Sequence, residues 1–222
     1  MIHKGQYTLS FRENDSYALS DYCITERNQF IWHTLQNTQE WSSHCVYLRA
    51  SRGGGKTHLA NIFTDTHHGT LYSGADLTSL PSIDTSAYVC IDNVERVRDP
   101  EVLFHMYNKI KEMNARLLVT STTSVADFPH LLPDLLSRLR SSHIITMPEP
   151  DEILMRGILL KRFADMQWHV KAEVLDYVIV RINRTYEAID QIISALTFCV
   201  EEQHRNITLP VIRSVLEDIK RA

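Results

Sequence analysis

The fold of this chain is decided by the stretch Val46-Tyr47-Leu48-Arg49-Ala50-Ser51-Arg52-Gly53-Gly54-Gly55-Lys56-Thr57-His58-Leu59-Ala60. It begins as an apolar strand, turns through three glycines and continues as an apolar helix. That order is typical of a phosphate-binding loop. Glycines let successive backbone N–H groups point inward at an anion, and the helix N-terminus adds unpaired N–H groups and the positive end of its dipole.

The residues of this loop define a candidate nucleotide site. Lys56 is placed to reach the β- and γ-phosphates, and the Thr57 hydroxyl is placed to bind Mg²⁺. The full motif, G-x-x-x-x-G-K-[ST], has a glycine where this chain has Ala50, so we expect weakened or adjusted nucleotide binding rather than none. The flanking strand and helix disfavour the simpler interpretation, a flexible turn. The predicted nucleotide-binding residues of the loop are Gly53, Gly54, Gly55, Lys56, Thr57 and His58.

Length and composition describe an ordinary globular protein. The 222 residues allow one large domain, or one domain with a small appendage, and the charged share of 23% is typical of such domains. The sequence lacks a run of about 18 apolar residues and a signal-peptide pattern, so we expect no membrane segment. A net charge of −4 argues against a protein that mainly coats nucleic acid. The four cysteines have neither paired nor metal-like spacing, which predicts a reduced, cytoplasmic protein.

The first residues carry a short alternating pattern, in which Gln6 precedes Leu9 and Phe11. One interpretation is an edge strand or a partly ordered terminus. The other is a docking peptide, whose apolar side chains fill a pocket while the glutamine amide fixes its orientation. The pattern Q-x-x-L-x-F resembles the motif by which bacterial proteins bind the sliding clamp of the replicative polymerase. We therefore predict a clamp-binding peptide at Gln6, Leu9 and Phe11.

The segment before the loop is a candidate wall for the base of a nucleotide. Tyr22, Ile24 and Asn28 lead into a helix that carries several apolar residues. These residues could enclose an adenine ring or simply cap the sheet. Their chemistry alone leaves both interpretations open.

A second apolar run ends in an acid, Asp92, which would emerge at the carboxyl end of a buried strand, where ligands of open α/β sheets bind. We predict that Asp92 holds Mg²⁺, mostly through water. Many P-loop ATPases place another acid next, to orient the attacking water. Here that residue is Asn93, whose amide cannot accept a proton, so we expect slow hydrolysis by the chain itself. Glu95 follows two residues later and could substitute for that acid, but its side chain is expected to point elsewhere.

Two later stretches supply polar residues beside predicted strands. Thr122 ends an apolar strand and is placed to touch the γ-phosphate, although threonine at such a position is also a common cap. A short helix from Pro133 presents Arg138 and Arg140. Arginine suits the charge that develops on a transferring phosphoryl group, and it can be supplied to a neighbour's nucleotide. Arg138 is the first choice and Arg140 the second, with an ordinary solvated pair as the alternative.

The pattern changes after Pro148-Glu149-Pro150, where only helical periodicity follows. We predict an α/β P-loop domain with a parallel sheet over residues 16–149 and a small all-helical lid over residues 150–222. The N-terminal peptide occupies residues 1–15. A lid hinged near these prolines can alter the nucleotide cleft.

In this order, the features resemble the AAA+ module, and within it the DnaA/Hda family of bacterial replication proteins. By this resemblance Arg138 falls on the family's arginine finger, and Thr122 lies near its sensor 1. Tyr22, Ile24 and Asn28 fall on its nucleotide-pocket segment. The resemblance covers nearly the whole chain and rests on Gly53 to Ala60, Val89 to Asp92, Leu132 to Leu139, Gln6 to Phe11 and Ile207 to Pro210.

One position departs from the family's lid. The family has an arginine in the third lid helix that contacts nucleotide, and this chain has Glu187 there, with Arg184 one turn earlier. An acid facing phosphates would weaken triphosphate binding through charge repulsion. The implied cofactor is therefore ADP or ATP with Mg²⁺, bound weakly or not at all.

The resemblance implies a negative regulator of chromosomal replication initiation. Such a protein is tethered to the DNA-loaded sliding clamp and inserts its arginine finger into the ATP site of a DnaA-type initiator, whose ATP is then hydrolysed. DNA would be contacted only indirectly, and the chain could form a homo-oligomer. Two alternatives stay open: an autonomous AAA+ ATPase of the helicase-loader type, and a binding adaptor without nucleotide.

Overall fold

The computed structural model describes residue 17 and residues 19–83, 87–128, 131–201 and 206–221. Within them, a five-stranded sheet flanked by helices is followed by a region made only of helices. The strands are β1 (Cys45–Arg49), β2 (Thr70–Ser73), β3 (Tyr88–Asp92), β4 (Arg116–Ser121) and β5 (His143–Thr146). The helices are α1 (Gln29–Gln36), α2 (Lys56–His67), α3 (Pro100–Glu112), α4 (Pro133–Arg140), α5 (Glu152–Asp165), α6 (Ala172–Ile179), α7 (Tyr186–Glu201) and α8 (Leu209–Arg221).

The sheet is parallel, and its strands follow the order β2-β3-β4-β1-β5. β1, which leads into the phosphate loop, lies between β4 and β5, with Val46 opposite Leu118 and Leu48 opposite Ile145. A parallel strand covered on both faces needs a continuous apolar run, and β1, β3 and β4 have one. Because the carboxyl ends of these strands meet at one edge, the polar residues that follow them are brought together.

Alternate side chains of β1 fill two apolar cores on opposite faces of the sheet. Tyr47 points to the face covered by α3 and α4, whereas Val46 points to the face covered by α1 and α2. A third core lies within α5 to α8 and includes Leu159. Leu154 of α5 and Tyr186 of α7 instead pack into the second core, so the helical region is joined to the sheet by apolar contact.

The predicted fold class, a P-loop α/β core with a parallel sheet followed by a small all-helical lid, is confirmed. The all-helical region starts with α5, directly after Asp151. The side chain of Asp151 caps α5 by accepting a hydrogen bond from the backbone N–H of Leu154 at 2.8 Å. No helix in the described ranges has the length and apolar character needed to cross a bilayer.

Gly157 of α5 lies where the lid contacts the segment before α1. A Cβ added there would be 2.6 Å from the Sγ atom of Cys23, closer than van der Waals contact allows. Alanine is favoured over glycine in a helix by about 1 kcal/mol, but overpacking costs about 1–3 kcal/mol. We therefore expect Gly157→Ala to lower the free energy of unfolding in urea. In a Cys23→Ala background the same substitution should raise it, and an equal effect in both backgrounds would contradict the contact.

Candidate nucleotide-binding site

The loop between β1 and α2 forms one side of a cavity of about 1200 Å³. Gly53 and Gly55 have φ angles of 78° and 77°, a conformation that residues with a Cβ rarely adopt. A Cβ on Gly54 would lie 3.1 Å from the Cβ of Ala50. Ala50 itself is buried in the core beneath α2. The loop therefore keeps its glycine-dependent turn, and the alanine that departs from the full motif is accommodated in the core.

Lys56 begins α2 and is folded onto its own loop. Its Nζ donates hydrogen bonds to the carbonyl oxygens of Ala50 at 3.0 Å and Ser51 at 2.9 Å. The residue is only 6% exposed. Burial lowers the pKa of its ammonium group, while the negative charge of Glu95 acts in the opposite direction. Lys56 is thus a poorly solvated cation whose two carbonyl partners can be exchanged for phosphate oxygens.

Asp92, at the end of β3, is held by three donors. Its carboxylate accepts hydrogen bonds from Thr57 Oγ1 at 2.8 Å, Thr120 Oγ1 at 2.5 Å and Asn93 Nδ2 at 2.6 Å. Thr57 and Asp92 therefore present adjacent oxygen ligands, which fits a Mg²⁺ ion that takes its other ligands from water and phosphate. Among the described residues, no group of three or more His, Cys, Asp and Glu side chains could hold a metal by itself.

Glu95 lines the cavity, so the expectation that its side chain points elsewhere is wrong. Its carboxylate accepts hydrogen bonds from Ser121 Oγ at 2.9 Å and from the backbone N–H and Oγ1 of Thr122 at 3.2 and 2.8 Å. The cause is the turn after β3, where Asn93 has a φ of 55° and the chain bends back over the end of β4. Thr122 also lines the cavity, where its hydroxyl donates to this carboxylate.

The segment before α1 forms another side of the cavity. Tyr22 lies there beside His58, and the two rings meet edge-on with centroids 5.3 Å apart. Burial raises the pKa of the Tyr22 hydroxyl, which therefore stays neutral. Tyr17, which the sequence did not single out, also lines the cavity and meets the ring of His58 edge-on with centroids 5.7 Å apart. Ile24 does not line the cavity, and its side chain is 40% exposed.

Asn28 lies at the cavity but uses its side chain to close a turn. Its Nδ2 donates to the carbonyl oxygen of Cys23 at 2.9 Å, and its Oδ1 accepts from the backbone N–H of Thr25 at 2.8 Å. These two bonds set the course of the chain that carries Tyr22. Ile24 belongs to the same turn, which explains why it points away while Tyr22 and Cys23 face the cavity.

The lid covers the cavity with both signs of charge. Glu187 of α7 lines it, as do Lys161 and Arg162 of α5. Arg184 does not reach it, because its guanidinium lies 3.4 Å from the carboxylate of Glu152 on the surface. The sequence did not single out these two α5 cations. Helical periodicity places them on a polar face of α5, but it does not show whether that face meets solvent or a cavity.

A second acid of α7, Asp190, lies against the phosphate loop. A Cβ on Gly53 would be 2.5 Å from Asp190 Oδ2. Burial raises the pKa of this carboxyl, whereas the positive charges of Arg162 and Arg52 lower it. Asp190 and Glu187 together place negative charge beside a cradle that is otherwise built for anions.

Arg138 of α4 does not line the cavity, and its guanidinium lies against α3. Its guanidinium is over the ring of Phe104 at 5.1 Å and 5.8 Å from the ring centre of Tyr107, and its Nη1 donates to Asn108 Oδ1. No carboxylate in the described ranges lies within 4.0 Å of it. Arg140 is exposed. The predicted clamp-binding residues Gln6, Leu9 and Phe11 lie outside the described residues.

The chain is similar over most of its length to proteins of known sequence and structure. No family model matches it. A relative from Haemophilus influenzae, described only as an uncharacterized protein, is 22% identical over 228 residues and covers 95% of this chain and 98% of the relative. Domain III of the replication initiation protein DnaA from Thermotoga maritima is similar in structure, with a TM-score of 0.70 and 16% identity over 92% of this chain and 97% of that one. AMPPCP-bound DnaA from Aquifex aeolicus has a TM-score of 0.66 and 16% identity, over 85% of this chain and 67% of that one.

The fold and the cavity together define the class: the chain has an AAA+ fold, in which a P-loop core and a helical lid enclose one site. The similar solved structures named above are both of DnaA. At such low identity the likeness establishes the fold, and the chemistry must be argued from the residues.

Substitution of Lys56 tests whether the cavity binds nucleotide. We expect Lys56→Met, which keeps the apolar bulk of the side chain, to weaken binding of fluorescent ADP by about tenfold or more, because a charge-assisted contact to phosphate is lost. Titration by fluorescence anisotropy measures the affinity, and Lys220→Met, at the exposed end of α8, is the matched control. Unchanged affinity in the Lys56 variant would contradict the assignment, and failure of the parent chain to bind would favour the nucleotide-free adaptor.

Proposed function

We propose that this chain is a cytoplasmic AAA+ regulator of DNA replication initiation of the Hda type. It promotes hydrolysis of ATP bound to a DnaA-type initiator by inserting Arg138 into the initiator's nucleotide site. The initiator becomes ADP-bound, and a further round of initiation is suppressed. The proposal rests on the AAA+ fold, on the similarity to DnaA structures and on the surroundings of Arg138.

The observation that carries the proposal is the position of the Arg138 guanidinium. It lies outside this chain's own cavity, is partly exposed and has neutral neighbours. An arginine supplied in trans stabilises the charge that develops on the transferring phosphoryl group and is worth about 10³–10⁵ in rate. Such an arginine must keep its positive charge available until the neighbour's phosphates arrive.

The local contacts of Arg138 meet that requirement. The faces of Phe104 and Tyr107 order the guanidinium without cancelling its charge, and each such contact is worth about 0.5–1 kcal/mol when exposed. The amide of Asn108 accepts one hydrogen bond. A triphosphate offers stronger, charge-assisted bonds, so transfer of the guanidinium from Asn108 to a phosphate is favourable.

The chain's own nucleotide site has a separate role in this proposal. It would bind ADP or ATP with Mg²⁺ through Lys56, Thr57 and Asp92, with weak turnover of its own. Asn93 donates its amide to Asp92 and cannot accept a proton from water. Glu187 and Asp190 add negative charge near the phosphates and disfavour a γ-phosphate.

One observation favours the alternative of an autonomous ATPase. Glu95 lines the cavity and is a carboxylate that could orient water in place of Asn93. In this structure its oxygens are engaged by Ser121 and Thr122, so it is held at the end of β4. ATP turnover by the purified chain alone, lost in Glu95→Gln, would support this alternative.

The predicted peptide at Gln6, Leu9 and Phe11 supplies the link to DNA. Binding to a sliding clamp loaded on DNA would hold the chain beside an initiator on the same DNA and raise its effective concentration. DNA is then contacted only indirectly. The head-to-tail contact that places Arg138 in a neighbour's site would also permit a homo-oligomer.

Arg138→Ala should abolish stimulation of the initiator's ATP hydrolysis in the presence of DNA-loaded clamp, with a drop of about 10³-fold or more in the stimulated rate. Phosphate release is measured with radiolabelled ATP on the initiator. Arg140→Ala, two residues later and exposed, is the control and should stimulate as the parent does. Full stimulation by Arg138→Ala would exclude this finger, and loss in Arg140→Ala alone would transfer the role to Arg140.

Replacing Leu9 and Phe11 together by alanine should remove the dependence on the clamp. The apolar anchors would be lost, so binding of the chain to immobilised clamp should fall by about tenfold or more in surface plasmon resonance. The variant should retain nucleotide binding, which uses a different part of the chain. Clamp binding as strong as the parent's would show that this peptide is not the tether.

A further inference from the structure

A pair of arginines on the lid, Arg181 and Arg213, lies outside the cavity lining. The guanidinium of Arg181 is stacked on the ring of Tyr177, with its central carbon 3.5 Å from the ring centre, and that of Arg213 on α8 is 5.5 Å from the same centre. Both arginines are exposed, and neither they nor Tyr177 line the cavity. Two positive charges from different parts of the lid therefore converge on one aromatic ring.

The charges of this pair are not balanced by carboxylates. Within the described residues, no Asp or Glu oxygen lies within 4.0 Å of the guanidinium of Arg181 or Arg213. Three other lid arginines are paired: Arg156 with Asp176 at 2.6 Å, Arg184 with Glu152 at 3.4 Å and Arg221 with Glu217 at 3.8 Å. Asp176 and Glu217, the acids of α6 and α8 nearest in sequence to the pair, are thus already engaged by other cations.

Arg181 is also ordered before any ligand arrives. The Arg181 side chain is held by the ring and by a hydrogen bond from its Nη1 to the carbonyl oxygen of Tyr177 at 3.1 Å. A planar guanidinium held in this way loses little conformational freedom when its remaining N–H groups bind a carboxylate. The free edges of Arg181 and Arg213 therefore form a prepared site for an anionic group.

The neighbourhood favours a protein partner over a nucleic acid. Val180, next to Arg181, is 74% exposed, and tyrosine, arginine and an exposed apolar side chain are typical of protein interfaces. A nucleic acid would need a longer track of cations and a free aromatic face for stacking. Here α6 and α8 also carry the acids Glu173, Asp176 and Glu217, and a guanidinium already occupies the ring of Tyr177.

We propose that Tyr177, Val180, Arg181 and Arg213 form a docking surface for an acidic segment of a partner protein, with a carboxylate bound between the two guanidinium groups. The apolar side chain of Val180 covers the adjacent part of that segment. This surface includes neither the cavity nor Arg138, so an experiment can contradict it without contradicting the function proposed above.

A capped hexaglutamate peptide is the probe for this surface. In ¹⁵N–¹H spectra of the full chain we expect saturable shifts of the backbone amides of Tyr177, Arg181 and Arg213. The double variant Arg181→Ala/Arg213→Ala should weaken binding by about tenfold. Its unchanged amide signals in the sheet verify that it is folded. Absence of saturable shifts in the parent chain, or unchanged affinity in the double variant, would overturn the proposal.

Two comparisons separate a specific site from general attraction between charges. Arg98→Ala/Lys111→Ala removes the same charge from two exposed cations of the α/β core, and it should change the affinity by less than about twofold. Arg181→Lys keeps the charge but lacks the planar fork, so most of the affinity should be lost. If the two double variants lost equal affinity for the peptide, or if Arg181→Lys kept full affinity, the surface would not be a specific carboxylate site. An oligothymidylate that shifts the same amides at lower concentration than the peptide would assign the surface to nucleic acid instead.

Discussion

The carboxylate of Asp92 is the point at which the parts of the candidate nucleotide site are joined. Thr57 reaches it from α2, Thr120 from β4 and Asn93 from the following turn. A buried acceptor that loses such a partner costs about 1–3 kcal/mol, and more when it is charged. These bonds hold the phosphate loop and its helix against the edge of the sheet. They are possible only because β3 and β4 are neighbours and end at the same edge.

The charged groups of the cavity favour the binding of an anion over its hydrolysis. Lys56, buried and bonded to carbonyl oxygens, supplies a cation that phosphate can attract away from its loop. Glu187 and Asp190 on the lid oppose additional negative charge at the same place. The residue after Asp92 is an amide, which organises the site without accepting a proton. This combination suits a nucleotide that is held more than one that is turned over, because repulsion grows with each phosphate.

Two arginines on different surfaces of the molecule are held in the same way, by an aromatic ring and a neutral hydrogen-bond acceptor. Arg138 lies on Phe104 and bonds to an amide, and Arg181 lies on Tyr177 and bonds to a carbonyl oxygen. An aromatic face orders a guanidinium through its quadrupole, yet it leaves the net charge in place. A carboxylate would order it as well but would also neutralise it. Both arginines therefore remain available to an anionic group from outside the chain, one on the core and the other on the lid.

The sequence by itself determined the layered core, the phosphate loop and the helical lid. Apolar runs of strand length, the glycine turn before Lys56 and the change of period after Pro150 are local signals, and the structure follows them. Only the tertiary structure decided which polar side chains face the cavity. Glu95 does so because the backbone turns at Asn93, and Ile24 does not because Asn28 closes the turn around it. Arg162 replaces Arg184 at the cavity because docking of α5 and α7 selects one polar face of each helix, and that choice depends on packing between residues distant in the chain.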